Sequence, residues 1–459
     1  MKGSVPAAVD RSRLPEPGPA PLFTFPSIEK SSRPNGLRVW TVSHPSVPVV
    51  TLMLLVRRGA ADDPAGKEGL AALTVDMLDE GSGGRSAIQM HEALATIGAQ
   101  LDADIGSDAA LMSVTVLSRF TAPALTLLAD MMARPSLSEE DFIRVRQLRL
   151  HRLTQIRDVP GAVADRAFAR LLFGAHPYGH TPLGNEQALA AMSIDDVRGF
   201  HAALLRPGDA TLVAVGDCGH DAICGQVADA FTGWEGAAAG GVPAATVLPK
   251  PARLNVVPRP GAPQSELRLG HVAVARNTPD YHALVAANMV LGGQFVSRIN
   301  MNLRTEKGIT YGARTSFDFR RLPGPFALQV SVQTAATAIA IEESLGEIAA
   351  IRGPRPVTPP ELALGIAALT RGYARNFETA EQVARAVTQL ALYDLPDDYF
   401  AQFVPRVEQV TSEDVTRVAA RYLDPARLTA LIVGDLDTIA PDLARLELGE
   451  PVVLPSETF

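Results

Sequence analysis

A chain of 459 residues, 47% hydrophobic and 20% charged, is too long for one hydrophobic core and apolar enough to fill at least two. Its formal charge of −8, with no clustered Lys/Arg run, excludes a nucleic-acid polyanion as the main partner. No apolar stretch reaches the roughly 18 residues that a transmembrane helix needs, so no membrane segment is expected.

Residues 1–34 begin MKGSVPAAVDRSRLPEPGPAPLF, which is Pro-rich and lacks the apolar centre of a secretory signal. They predict a flexible leader on a cytoplasmic protein, or a periplasmic one if the true start lies elsewhere. LRVWTVSH and VPVVTLMLLVRRG carry the β-branched residues of strands, and GKEGLAALTVDMLDEGSGG predicts a helix packed through Leu70, Leu73 and Met77. SIDDVRGFHAALL opens a helix with Ser followed by acids, and RPGDATLVAVGD ends the first half on a strand. In DCGHDAIC, Cys218, His220 and Cys224 offer three soft ligands but no nearby fourth, which favours reduced, structural thiols over a zinc module. A disulfide remains open to them in an oxidising compartment.

Residues 234–253, WEGAAAGGVPAATVLPKPAR, predict a linker long enough to let two halves move. Beyond it the pattern returns. RLNVVPRP and SELRLGHVAVA repeat the strands, SEDVTRVAARYL the helix, and DPARLTALIVGD the final strand. One offset pairs Val215, Gly216 and Asp217 with Val433, Gly434 and Asp435, Asp196 and Val197 with Asp414 and Val415, and Pro45 with Pro263. The predicted fold is therefore α+β: two homologous domains in tandem, 35–233 and 254–459, each a mostly antiparallel sheet covered by helices on one face. A cleft between the halves would suit a ligand.

In AANMVLGGQFVSRINMNLRTEKGITYGARTSFDF, a helix over 287–306 is expected to end at Gly308. ITYGARTSF then alternates as a strand with Ile309, Tyr311 and Ala313 on one face. Arg304 in the last helical turn and Tyr311 at the strand's start would reach the same end of the domain. Taken alone, a surface Arg near a helix C-terminus and a locally bonded Tyr explain both.

LGGQFVSRINMNLRTEKGITYGARTSF resembles, however, the C-terminal-domain signature of the pitrilysin/insulinase family of zinc peptidases, the inverzincins. There an Arg and a Tyr seven positions later contact substrate. GAADDPAGKEGLAALTVDMLDEG is similar to the family's first catalytic helix, and LTQIRDVPGAVADRAFARLLFGAHPYGHTPLGNEQAL to the segment that follows. Active members carry His-x-x-Glu-His on that helix, where two imidazoles one turn apart share a metal and the Glu polarises its water. The corresponding residues here are Ala72, Leu73, Thr74, Val75 and Asp76. Where the family has its third ligand, a Glu, QLRLHRLTQIR contains no carboxylate.

An unorthodox ligand set of Asp76, His91 and His151 would lack a general base. His176 and His180 are separated by Pro177 and Gly179, which disfavour a helical ligand pair. The resemblance thus implies a non-catalytic subunit with no metal of its own and degenerate positions Ala72, Val75 and Asp76. Zinc is expected in the partner, a homologous subunit with an intact motif forming a heterodimer or higher heteromer, and peptide substrate on Arg304 and Tyr311. Peptidase activity is expected only with that partner. Two alternatives stay open: a structural or assembly protein derived from the peptidase fold, and a self-sufficient peptidase with atypical ligands.

Overall fold

The computed structural model describes residues 23–241 and 248–455, together with Ser12 and Gly18. In the first half β1 (Glu29–Ser32), β2 (Arg38–Ser43), β3 (Val49–Val56), β4 (Gln100–Ile105), β5 (Ala110–Leu117) and β6 (Ala210–Gly216) make one sheet, ordered β1-β2-β6-β3-β5-β4. In the second half β7 (Leu254–Pro258), β8 (Gln264–Val274), β9 (Ala313–Phe317), β10 (Gly324–Gln333), β11 (Thr429–Gly434) and β12 (Val452–Val453) make the other, ordered β12-β7-β11-β8-β10-β9. Each strand ending in the repeated Val-Gly lies parallel to one strand of its half, β6 to β2 and β11 to β7, and antiparallel to the strand that follows that one, β3 or β8. The repeat seen in the sequence is thus a repeat of topology. Only the outermost strand beside β2 or β7 differs, coming from the N-terminal side in one sheet and the C-terminal side in the other.

The helices that position the site are α1 (Leu70–Asp76), α2 (Glu139–Ile156), α3 (Pro160–Phe173), α4 (Ile194–Leu204), α5 (Tyr281–Asn288), α6 (Ala380–Tyr393) and α7 (Ser412–Tyr422). The Ser193 hydroxyl accepts the Asp196 N–H to start α4. Thr411, one residue ahead of the expected Ser412, does the same for α7 with Asp414.

Each half's own helices cover one face of its sheet, as expected, and the other face is covered from the opposite half. On β3, Val50, Leu52, Leu54 and Val56 face a core built with the first half's own helices, while Met53 and Leu55 face the opposite side. That side is covered by α6, from the second half, through Val383, Val387 and Leu390. Reciprocally, α3 from the first half lays Val163, Ala167 and Phe168 on Val257, Leu431 and Val433 of the second sheet. The central strands of each sheet are therefore buried on both faces, as the unbroken apolar runs of β3, β6 and β11 require. Polar groups add to the exchange: the buried Tyr178 hydroxyl donates to Asp108 Oδ1 at 2.5 Å and accepts the Leu322 N–H at 3.2 Å, and Asp108 Oδ2 accepts the Arg321 N–H at 2.8 Å.

The leader and linker expectations change too. β1 pairs with β2, and Phe23 and Phe25 pack on Phe377 of the second half, so residues 23–34 belong to the fold because they bury aromatic surface. Trp234 is buried and its indole N–H donates to the Leu205 carbonyl at 3.1 Å, and the Gly240 carbonyl accepts from Arg58 at 2.6 Å. Residues 234–241 are thereby tied to the first half, while 242–247 of the expected linker and most of 1–22 lie outside the described residues. Among the described residues no helix is long and apolar enough to cross a membrane. Cys218 and Cys224 are free thiols; burial first, then Asp217, pushes Cys218 up to about 11, and Cys224 Sγ lies 3.5 Å from His220 Nε2.

Candidate functional site

α1 runs directly under the first sheet's core. Leu70 and Leu73 are buried in it, as is Met77 just past the last turn, so the expected packing face is real. Asp63 holds the start of the helix, its carboxylate accepting the N–H groups of Gly69 at 2.7 Å and Ala71 at 2.6 Å. Along the helix, Ala72 and Val75 are buried and apolar, and Asp76 is the one charged side chain at the three degenerate positions.

Asp76 is not free. The Arg149 guanidinium, from α2, forms an ion pair with its carboxylate and also donates to the Pro182 carbonyl at 2.8 Å. Arg149 has a side chain only 10% exposed, so Asp76 is what neutralises a largely buried cation. These residues do not fit a zinc ion: two positions offer only hydrocarbon, and the third is a carboxylate already paired with the Arg149 guanidinium. The alternative ligands are not brought together either. His91 Nε2 lies 4.0 Å from Asp79, whose carboxyl is raised by burial and then by Glu80, while His151 bonds Gln147 at 3.0 Å. His176 accepts the Tyr178 N–H and His180 bonds Asp63, so that pair has separate structural duties. Among the described residues no three of His, Cys, Asp and Glu group as a metal ligand set.

The second half is built differently at its open end. The expected continuous helix over 287–306 is instead broken: α5 widens at Met289–Gly293, the chain makes a tight turn over 294–297 closed by the Ser297 N–H on the Gln294 carbonyl at 3.2 Å, and a short helix at Arg298–Asn300 widens again over Met301–Glu306. Gly292 permits this because a Cβ there would come 2.5 Å from the Thr315 hydroxyl on β9. Gly308 takes a left-handed φ of 65° after the last turn, as expected.

Tyr311 precedes the strand rather than starting it. The Thr310 hydroxyl donates to Ser331 O at 2.7 Å and accepts the Gly312 N–H at 3.1 Å, a local turn that replaces the ladder until Ala313. Asn300 then clamps the strand's first residue, its side chain pairing with both Ala313 O at 2.7 Å and Ala313 N at 2.8 Å. The result is a Tyr311 side chain 94% exposed at the tip of a pinned loop. Arg304 lies with its guanidinium 3.9 Å over the Phe295 ring, itself 63% exposed. Among the described residues Arg304 and Tyr311 share no hydrogen bond, so both keep donors for a ligand. Beneath them Arg298 pairs with both Glu361 oxygens at 2.7 and 2.8 Å, pushing that carboxyl down to about 2.

Sequence reasoning passed over Arg149, Phe295 and Asn300. Asn288, Asn300 and Asn302 were the available signal, because Asn inside a helix marks a side chain committed to a neighbouring backbone or a break.

The insulinase model, peptidase family M16, matches residues 38–184, and the model of the M16 inactive domain matches residues 191–369. The chain belongs to the insulinase family. An uncharacterized zinc protease of Streptomyces coelicolor is 26% identical over 293 residues, a stretch covering 62% of this chain and 63% of that protein. Another, of Mycobacterium tuberculosis, is 24% identical over 92% of this chain and 96% of its own length. Among solved structures, a peptidase M16 inactive domain from Pseudomonas fluorescens superposes with a TM-score of 0.82 at 24% identity, covering 89% of this chain and 98% of that one. A protease from Helicobacter pylori matches with the same TM-score at 19% identity, over 89% and 99%. The tandem α+β architecture is thus that of the insulinase family, and the findings are consistent with a non-catalytic subunit of peptidase fold.

Proposed function

We propose that the chain is the non-catalytic subunit of a heteromeric zinc peptidase, pairing with a homologue that carries the intact His-x-x-Glu-His motif. One asymmetry carries the reading. The helix of the first half has its last charged position locked in the Asp76–Arg149 pair, whereas the second half presents Arg304 on a helical turn and Tyr311 on the pinned loop that follows, sharing no hydrogen bond with each other. A guanidinium and a phenol donate hydrogen bonds to peptide carbonyls. Held beside a scissile bond, such donors favour the oxyanion that develops. The metal and the nucleophilic water belong to the partner; this chain orients the peptide and contributes charge stabilisation.

The test is reconstitution with a zinc-motif homologue and steady-state cleavage of a peptide. Tyr311→Phe and Arg304→Ala are each expected to lower kcat/KM by about tenfold or more, up to the roughly hundred- to thousandfold loss in kcat typical of removing one oxyanion donor. Tyr311→Phe is also expected to leave thermal stability unchanged, since its side chain is 94% exposed. Wild-type kinetics in both variants would remove these residues from the site.

A further inference from the structure

Away from Arg304 and Tyr311, a cleft of about 730 Å3 opens in the first half beside α3, within the size range of small-ligand sites. Its walls carry Arg157 from the end of α2, Arg166 and Arg170 from α3, Glu68 from a loop, and Asn185 and Glu186 from the start of the short helix Glu186–Ala190. α3 uses Val163, Ala167 and Phe168 to pack on the second sheet, which leaves Arg166 and Arg170, one turn apart, on the cleft side. Like charges at that spacing disfavour each other, so the placement needs a reason.

Both cleft carboxylates are already engaged. Glu186 binds Arg157 at 2.6 Å, and Glu68 accepts the Gly66 N–H at 3.1 Å and the Asn185 side chain at 3.2 Å. Arg170 donates to the carbonyl of Gly174 at 2.9 Å. Arg166 has neither a hydrogen bond nor an ion pair among the described residues, although it is only partly exposed. Arg58 and Arg298, which are also withdrawn from solvent, each find carboxylates. Burial first, and then the neighbouring Arg157, lower the proton affinity of the Arg166 guanidinium, opposed by Glu186, whose carboxylate is hydrogen-bonded to Arg157 and not to Arg166.

The geometry points to an oxyanion site: the Arg166 fork takes two oxygens of a carboxylate or phosphate group, and Arg170 closes over it. A planar guanidinium is suited to such paired acceptors. The ligand is a small molecule or a peptide end bearing one such group, and the site is independent of the peptidase reading.

Calorimetric titration of the full chain tests it, with inorganic phosphate in one arm and a short peptide as free acid or as amide in the other. We expect saturable binding of phosphate or of the free acid, and weakening by about tenfold or more in Arg166→Gln, in line with loss of a charge-assisted bidentate contact. Binding of the free acid but not the amide identifies a carboxylate; binding of phosphate alone identifies a phosphate. Should Arg166→Gln not fold, Arg166→Lys keeps the charge and stem but not the fork, and is expected to bind more weakly than wild type. Absence of saturable binding in either arm at millimolar ligand, or affinity equal to wild type in the folded variant, overturns the proposal.

Discussion

Asp76 and Arg149 form a pair whose members are unequal: the arginine side chain is 10% exposed and the aspartate 43%. Removing the carboxylate with Asp76→Ala leaves a largely desolvated guanidinium, and urea unfolding is expected to show a loss of about 1–2 kcal/mol, reduced from the fully buried case by the exposure of Asp76. Replacing both, with Asp76→Leu and Arg149→Met, is expected to recover most of that loss, because hydrocarbon substitutes well for a desolvated pair. A second residue-scale prediction concerns His282, ringed by Tyr281, Tyr399 and Phe403. Burial first, then Arg406 and Arg276, lower it from an ordinary 6.5 to about 4, so the folded protein keeps it neutral. The unfolded chain binds the extra proton between those values, so stability is present above pH 6.5 and is lost as pH falls toward 4. His282→Phe is expected to flatten the fall of unfolding free energy over that window by up to about 1.4 kcal/mol per pH unit, read by urea titration against wild type. That Ala72 and Asp76 stand where the family resemblance expects histidine ligands was legible in the sequence, because each is one residue type at one helical position. Arg149 was not: a stretch searched for carboxylates gives no hint that a cation has crossed the helix pair to meet Asp76.

At the scale of elements, the exchange of α3 and α6 makes each half depend on the other. Leu390 lies on α6 in the second half yet is fully buried against β3 and β6 of the first. Leu390→Ala is expected to cost about 2–5 kcal/mol, the usual range for a buried leucine. Hydrogen exchange should place the lost protection in β3 and β6, far away in sequence. Loss confined to residues 370–410 would contradict the exchange as a stabilising device. The duplicated strands were legible from Val-Gly-Asp and its offset, whereas the second covered face was not read, although VVTLMLLV and TLVAVG are apolar at both alternations. Such strands demand a second layer; a sequence cannot say which half supplies it. The strand expected to begin at Ile309 starts at Ala313 because Thr310 satisfies the backbone locally, a competition that β-propensity alone does not resolve.

Taken whole, the molecule is a duplicated peptidase fold in which the two copies have diverged in opposite directions. One retains its helix but carries an internal ion pair, and the other retains an open loop with hydrogen-bond donors. Under our proposal the substrate clamp lies in this chain and the nucleophile-activating group in its partner, so activity emerges only from two different chains. The most direct test is peptide cleavage by this chain alone, by a homologue with the intact zinc motif alone, and by the two mixed at equal concentration. We expect no cleavage by this chain and a large gain in the mixture over the homologue, abolished by mutating the homologue's motif and diminished by Tyr311→Phe. Cleavage by this chain alone, or a mixture no more active than the homologue, would contradict it.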